Sequence, residues 1–379
     1  MILQTALSIY VLTKKIYHQT SDIMFTCLIY FFSFKKYDKT NNVLIVVPDG
    51  IGDNILRLEV IKNYIEYFES KSIYFLVSKE TGVKELIYSI NKENTSFIDF
   101  SLKMFSRNPF YRFFKIKALN QYNFSSIVLL YTIESRVAEV LEKSFRAHNT
   151  FFYHTDNIFN YALLDDISLF KKVTNIDLDI NLLKTNLQSI VKNNLYSDSK
   201  IPSEYIVVGI GSSSVARTYP ITKFLPVLEW LGFNNYTMIF LGKGLEDEKY
   251  YNKLISLSSI IKNQSINLIG KLSLLDSFQV LRKAKFFVGV ESGLFNAASF
   301  LGTPLIVIYG GGHYGRFKHT NDNAIYVSSK MNCFGCNWQN CPYGSLRFKS
   351  AKCISNIESQ EIISAICMLM EKNSIKLNS

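Results

Sequence analysis

The sequence predicts an α/β protein made of two consecutive doubly wound domains behind a separate N-terminal segment. Three observations carry that expectation. Short apolar runs rich in β-branched residues recur along the chain, each followed by a helical pattern, as expected of strands buried on both faces of a parallel sheet. The alternation starts at Val43, breaks at a polar, proline-containing stretch from Asn194 to Pro202, and restarts at Tyr205. A length of 379 residues also suits two or three domains better than one. The expected divisions are residues 1–40, 41–195 and 200–379.

The N-terminal segment contains an almost wholly apolar run, Ile23–Phe34, of 12 residues. A membrane-spanning helix needs about 20. Lysine pairs at Lys14-Lys15 and Lys35-Lys36 stand before and after it, and no small-residue cleavage site follows, so a signal peptide is not expected. The reading adopted is an interfacial anchor, aromatics in the headgroup layer and lysines on acidic lipid heads. The alternative is a helix packed on the body of the protein.

In the first domain, Val43–Val47 is the opening strand. Leu58, Ile61, Ile65 and Phe68 share one helix face with Lys62 and Glu66 off it, and further strands are expected at Ile73–Val77, Phe97–Phe100 and Ser126–Tyr131. In the second, strands are expected at Tyr205–Ile210, Thr237–Leu241, Phe286–Val290 and Pro304–Tyr309. Lys223–Leu231 reads as a helix with Pro226 in its first turn. Ser273 and Asp276 form a capping pattern ahead of a Phe278/Leu281 apolar face.

Composition narrows the partners. With 48% hydrophobic and 19% charged residues the chain is not disordered, and six cysteines are too few for a disulfide scaffold. A net charge of +11 favours anionic partners.

Four segments can carry chemistry. Pro48-Asp-Gly-Ile-Gly-Asp53 follows the first strand, where ligands of open α/β sheets bind. Asp53 at a helix N-terminus is either a general base or only a helix cap. Gly209-Ile-Gly-Ser-Ser-Ser-Val-Ala-Arg217 lacks the third glycine of a dinucleotide fingerprint, but Ser212, Ser213 and Arg217 suit a phosphate. Val290-Glu291-Ser292-Gly293-Leu294-Phe-Asn296 runs from a strand into a helix whose free N–H groups form an anion site. Its spacing does not fit the Gly-x-Ser-x-Gly elbow of a serine hydrolase. Gly310-Gly-Gly-His313-Tyr-Gly-Arg316-Phe-Lys318-His319 follows another strand and reads either as a diphosphate-wrapping loop with His313, Arg316 and Lys318 as cations, or as a flexible surface loop.

In this order, these segments resemble glycosyltransferase family 9, the ADP-heptose:lipopolysaccharide heptosyltransferases, over about residues 42–365. Arg217-x-Tyr-Pro220 is similar to the family's basic-x-aromatic-Pro element, and Asn267-Leu-Ile-Gly-Lys271 to its Leu-x-Gly-Lys segment. The resemblance implies a GT-B fold, two Rossmann-like domains facing across a cleft, with the acceptor on the first and the nucleotide sugar on the second. It also implies inverting transfer with no catalytic metal, Asp53 as base, Arg217 and the helix at Ser292 on the leaving diphosphate, and Glu246 on the ribose. Glu291 stands where the family usually has Asp, Asn296 where it has His, and Arg217 where it has Lys; these departures bear on the identity of the sugar.

Two segments lie outside those motifs. Cys333, Cys336, Cys341 and Cys353 fall within 21 positions and suit a structural zinc or, second, an iron–sulfur cluster; unligated packed thiols are the alternative. Lys103–Lys117 interleaves Lys103, Arg107, Arg112 and Lys115 with aromatics and holds no acidic residue. Such a stretch binds nucleic acid, lies on anionic lipid, or is a buried helix with basic rims. Beside a candidate anchor, the lipid reading is adopted and no nucleic acid is expected.

The expected protein is therefore a cytoplasmic glycosyltransferase, peripheral on the inner face of the inner membrane. It takes heptose or another hexose-type sugar from ADP-heptose or a similar donor to a lipid-linked glycan, of the lipopolysaccharide type or another surface glycolipid. A non-catalytic binding protein of the same shell and a nucleotide-sugar epimerase are the alternatives.

Overall fold

A computed structural model describes residues 40–91, 95–131, 149–153, 161–180, 187–192, 201–317, 322–336, 341–344 and 349–375, with Thr20, Met24, Leu183 and Trp338. The anchor expected in residues 1–40 lies almost wholly outside the described residues, as do most of the expected linker and Lys318. Among the described residues no helix is long and apolar enough to cross a membrane.

The first sheet is built of β1 (Asn42–Val47), β2 (Ser72–Ser78), β3 (Thr95–Phe100), β4 (Ser126–Leu129) and β5 (Asn149–Phe151), in the order β3-β2-β1-β4-β5. Every pairing is parallel, with Val43 between Ile73 and Ser126. Val43–Val47 are fully buried, which is why this strand is apolar on both faces. The helix Leu58–Tyr67 follows the expected pattern, with Leu58, Ile61, Ile65 and Phe68 buried and Lys62 paired to Glu66 at 3.6 Å outside.

The second sheet holds β6 (Ile206–Gly209), β7 (Met238–Leu241), β8 (Ser265–Asn267), β9 (Phe287–Val290), β10 (Leu305–Ile308) and β11 (Ala324–Val327), all parallel, in the order β11-β10-β9-β6-β7-β8. The expected strands all occur, those of this sheet trimmed by a residue or two and β1, β2 and β3 of the first sheet longer by one or two. The sequence reading missed β5, β8 and β11, which are short and half-exposed at or beside sheet edges. Ser273 caps its helix as expected, its hydroxyl accepting from the Asp276 N–H at 3.1 Å. Pro226 corrects the reading. The helix begins at Ile221, so the proline lies inside it and removes one backbone bond. The buried face of Phe224, Val227, Leu228 and Leu231 holds the helix together regardless.

By internal contacts the chain divides into two units, and not at a single cut. The first comprises Met1–Gly50, Val60–Thr155 and Asp165–Asp179; the second comprises Ile51–Glu59, Asp156–Leu164 and Ile180–Ser379. The short helix Ile51–Leu56, which carries Asp53, thus packs with the second unit although β1 precedes it.

Candidate functional site

In the second sheet the chain runs outward from β6 through β7 to β8, then returns to the other side of β6 as β9. Ligands of open α/β sheets bind beyond the carboxyl ends of strands at such a reversal. Gly209 and Gly289 are register partners there, and a Cβ on Gly289 would fall 2.3 Å from the Gly209 carbonyl oxygen. The loops that follow β6, β9 and β10 converge from this bare end of the sheet.

Glu291, the first residue after β9, is 3% exposed. Its Oε1 accepts from Arg217 Nη1 at 3.4 Å and from His313 Nδ1 at 3.2 Å. Arg217 ends a 3-10 turn after β6, and its Nη2 donates to Ser213 Oγ at 2.6 Å. Burial works to raise the Glu291 carboxyl pKa. The His313 hydrogen bond and the nearby Arg217 charge outweigh it, and the carboxyl is held below its ordinary value. An ionised carboxylate only accepts, so His313 presents Nδ1–H to it. Three candidates from three separate motifs are thereby joined in one cluster. Among the described residues, Glu291 Oε2 and Arg217 Nε are buried with no hydrogen-bond partner. Buried polar atoms are normally satisfied, so this pair of open positions asks for a ligand group.

The helix Gly293–Leu301 starts beside the cluster. Ser292 caps it, accepting from the Phe295 N–H at 3.5 Å, and Gly302 ends it in the left-handed region at φ 75°. Leu294 is half-buried and Asn296 buried. Gly52 lies against this helix, since a Cβ there would fall 2.6 Å from Asn296 Nδ2 and 3.2 Å from Gly293 Cα. Asp53, the next residue, stands half-buried in the first turn of Ile51–Leu56.

Other expected site residues sit differently. Ser212 Oγ accepts from the Ser214 N–H at 3.3 Å, within its own loop. Arg316 is 1% exposed, a buried arginine and not a cation on a loop surface. Glu246 turns outward, 85% exposed, and pairs with Lys249 at 2.7 Å. Its neighbour Asp247, which sequence reading missed, is the inward carboxylate. It accepts from the Lys243 N–H at 2.9 Å, and a Cβ on Gly211 or Gly242 would fall 2.0 or 2.4 Å from its oxygens. Burial pushes its pKa up. The available signal was two glycines, each closing a strand–loop junction near one acidic helix start.

The run Gly310–Gly312 is not an exposed surface loop. All three glycines are buried against the rings of Phe334 and Trp338. The four cysteines beside them, Cys333, Cys336, Cys341 and Cys353, line one small cavity, and all are free thiols. Burial, foremost, and the nearby thiols raise the Cys353 pKa. The expected zinc gains no support here: among the described residues no group of three His, Cys, Asp or Glu side chains is placed to hold a metal ion.

The basic-aromatic stretch forms two helices, Leu102–Arg107 and Pro109–Asn120, capped by Ser101 and Asn108. Lys103 and Arg107 are exposed. Arg112 corrects the surface reading. It is fully buried, with its Nε donating to the Phe105 carbonyl at 2.9 Å. Lys115 is half-buried with its Nζ on the Asp99 carbonyl, and desolvation lowers its pKa despite the Asp99 charge.

The sequence profile of glycosyltransferase family 9 (heptosyltransferase) matches residues 116–346, more than half of the chain. The chain belongs to that family. As a heptosyltransferase-type glycosyltransferase it shares its fold with solved structures at low identity. The Escherichia coli ADP-heptose lipopolysaccharide heptosyltransferase II is 15% identical, with 88% of this chain and 99% of that one covered and a TM-score of 0.61. A family 9 glycosyl transferase of Veillonella parvula is 13% identical, with coverage of 89% and 100% and a TM-score of 0.62. E. coli heptosyltransferase WaaC, solved with ADP-2-deoxy-2-fluoro heptose, is 16% identical, with coverage of 88% and 99% and a TM-score of 0.58. No curated protein sequence matches the chain.

Proposed function

We propose that this glycosyltransferase takes a heptose-type sugar from a nucleoside diphosphate donor and transfers it with inversion to a hydroxyl of a lipid-linked glycan. The observation that carries the donor half is the Arg217–Glu291–His313 cluster, buried at the sheet reversal with Glu291 Oε2 and Arg217 Nε unpartnered among the described residues. Glu291 Oε2 is an acceptor for a sugar or ribose hydroxyl, and Arg217 Nε a donor for a phosphate oxygen. The N-terminus of Gly293–Leu301 adds backbone N–H groups for the same diphosphate. The solved relative WaaC holds an ADP-heptose analogue, which supports the choice of donor.

Asp53 is the proposed general base. It takes the proton of the acceptor hydroxyl as that oxygen bonds to the anomeric carbon from the face opposite the leaving group. The bond from the anomeric carbon to the diphosphate oxygen breaks, and its electron pair leaves with the nucleoside diphosphate. Arg217 and the helix N–H groups stabilise the charge that develops there. The close approach of Gly52 to Gly293 and Asn296 supports this assignment, because it brings Asp53's neighbour against the donor helix. Ser212, Ser213, Ser292, Gly293, Leu294 and Asn296 are kept as donor contacts, and Asp247, the inward carboxylate, takes the place of Glu246 as the acidic group for the ribose.

The acceptor is proposed to lie at an anionic membrane surface on the cytoplasmic side. Phe110 and Phe114 are 59% and 63% exposed on one face of Pro109–Asn120, with Lys103, Arg107 and Lys117 exposed around them. Exposed aromatics rimmed by cations suit a headgroup layer. The test is transfer from ADP-heptose to lipopolysaccharide precursors, followed by mass spectrometry. Donor consumption with a glycosylated product supports the reading. Tight nucleotide binding without turnover on any acceptor overturns it in favour of a binding protein.

A further inference from the structure

The glycines after β10 have a steric cause. None of Gly310, Gly311 and Gly312 has a positive φ, so backbone conformation does not require them. Space does. A Cβ on Gly310 would fall 2.3 Å from Trp338 Cη2, one on Gly311 2.1 Å from Phe334 Cδ1, and one on Gly312 2.2 Å from Trp338 Cδ2. Two hydrogen bonds zip the same surfaces together. The Gly335 N–H donates to the Gly311 carbonyl at 2.7 Å, and the Gly311 N–H to Cys353 Sγ at 3.3 Å.

The rings reach beyond the glycines to the next residue. The His313 imidazole stands edge-on to Trp338, 5.8 Å between centroids at 81°, and to Phe317, 5.2 Å at 65°. Its third restraint is Glu291. Trp338 itself is held at φ 60°, a left-handed conformation that non-glycine residues adopt at a cost, and its buried indole Nε1 has no partner among the described residues. Such a residue persists only where its surroundings over-determine it, and strain of this kind clusters at functional sites.

We propose that Trp338, carried by the cysteine-bearing segment, is a positioning residue: it fills the space over Gly310 and Gly312 and sets His313 edge-on so that Nδ1 meets Glu291. Trp338 thereby controls nucleotide affinity without touching the nucleotide. This rests on the reading of the Arg217–Glu291–His313 cluster as the donor site.

The test uses the full chain and ADP. Dissociation constants are measured for wild type, Trp338→Ala, Trp338→Phe, His313→Gln and the Trp338→Ala/His313→Gln pair. Trp338→Ala should weaken ADP about tenfold in the wild-type background and less than about twofold in the His313→Gln background, since coupled neighbours are non-additive. Trp338→Phe should restore most of the loss. The second readout needs no ligand. The His313 Nδ1–H proton resonance, assigned by its loss in His313→Gln, should be present in wild type and Trp338→Phe and absent in Trp338→Ala. Equal losses in both backgrounds, or an unchanged imidazole signal in Trp338→Ala, overturn the proposal. If wild type does not bind ADP, the donor reading fails by itself and the imidazole signal decides the positioning role. If Trp338→Ala does not fold, Trp338→Leu takes its place, with the same outcomes expected.

Discussion

Gly52 and Gly293 face each other with no room for a side chain on either. A Cβ on Gly293 would fall 2.7 Å from Ile51 Cγ2, and one on Gly52 3.2 Å from Gly293 Cα. This contact seats the helix bearing Asp53 on the helix that follows Glu291. Gly52→Ala should therefore lower kcat more than it lowers stability, because a displacement of ~1 Å at a reacting group can cost about 100-fold. Parallel kinetic and thermal-unfolding measurements check it; an unchanged kcat would show that the seating does not matter to catalysis.

Asp53→Asn keeps the shape of the side chain and removes its basicity. Transfer should fall by about 10²–10⁴-fold, with donor affinity unchanged. Single-turnover assays with ADP-heptose measure the first and ADP titration the second. A variant that retains a tenth or more of wild-type kcat rules out Asp53 as the base.

Glu291 gives a pH signature. Its carboxyl pKa in the folded chain lies below its ordinary value, because the His313 hydrogen bond and the Arg217 charge outweigh the effect of burial. A carboxylate of this kind stabilises the fold fully above its unfolded pKa, and the contribution fades as pH falls through the folded one. The difference in thermal midpoint between wild type and Glu291→Gln should hold steady around neutrality and shrink on acidification below the ordinary carboxylate range. A difference that stays constant down to pH 3 would detach the ion pair from stability.

Phe110 and Phe114 are exposed, so the double change to Ser should leave stability nearly unchanged, within about 0.5 kcal/mol for surface positions. Binding to vesicles of anionic lipid should drop in a flotation assay. Arg112→Ala should behave in the opposite way. It removes a fully buried guanidinium that donates to the Phe105 carbonyl and should cost about 2 kcal/mol. Equal flotation by the Phe110/Phe114 variant would dismiss this face as a lipid contact.

Gly311→Ala places a methyl 2.1 Å from the Phe334 ring and should destabilise the fold by about 1–3 kcal/mol, as overpacking does. Phe334→Ala in the same chain should recover part of the loss by opening that space. Additive destabilisation in a denaturant titration would refute the close-packing account.

What the sequence determined by itself is local and periodic. Apolar runs such as Val43–Val47 and Phe287–Val290 are strands because a parallel sheet covered on both faces leaves them no polar side. Ser273 starts its helix because its side chain accepts from an orphan N–H group three residues on. The glycine- and serine-rich junctions stood out because they fall where strands end. What only the tertiary structure decided is long-range. That Glu291 joins Arg217 and His313, from 74 positions earlier and 22 later, follows from β6, β9 and β10 lying side by side, which spacing along the chain does not encode. The inward turn of Asp247 in place of Glu246, the burial of Arg112, and the rings of Phe334 and Trp338 standing where glycine side chains would be are outcomes of packing. Each depends on which surface a distant segment presents, and no local pattern records that.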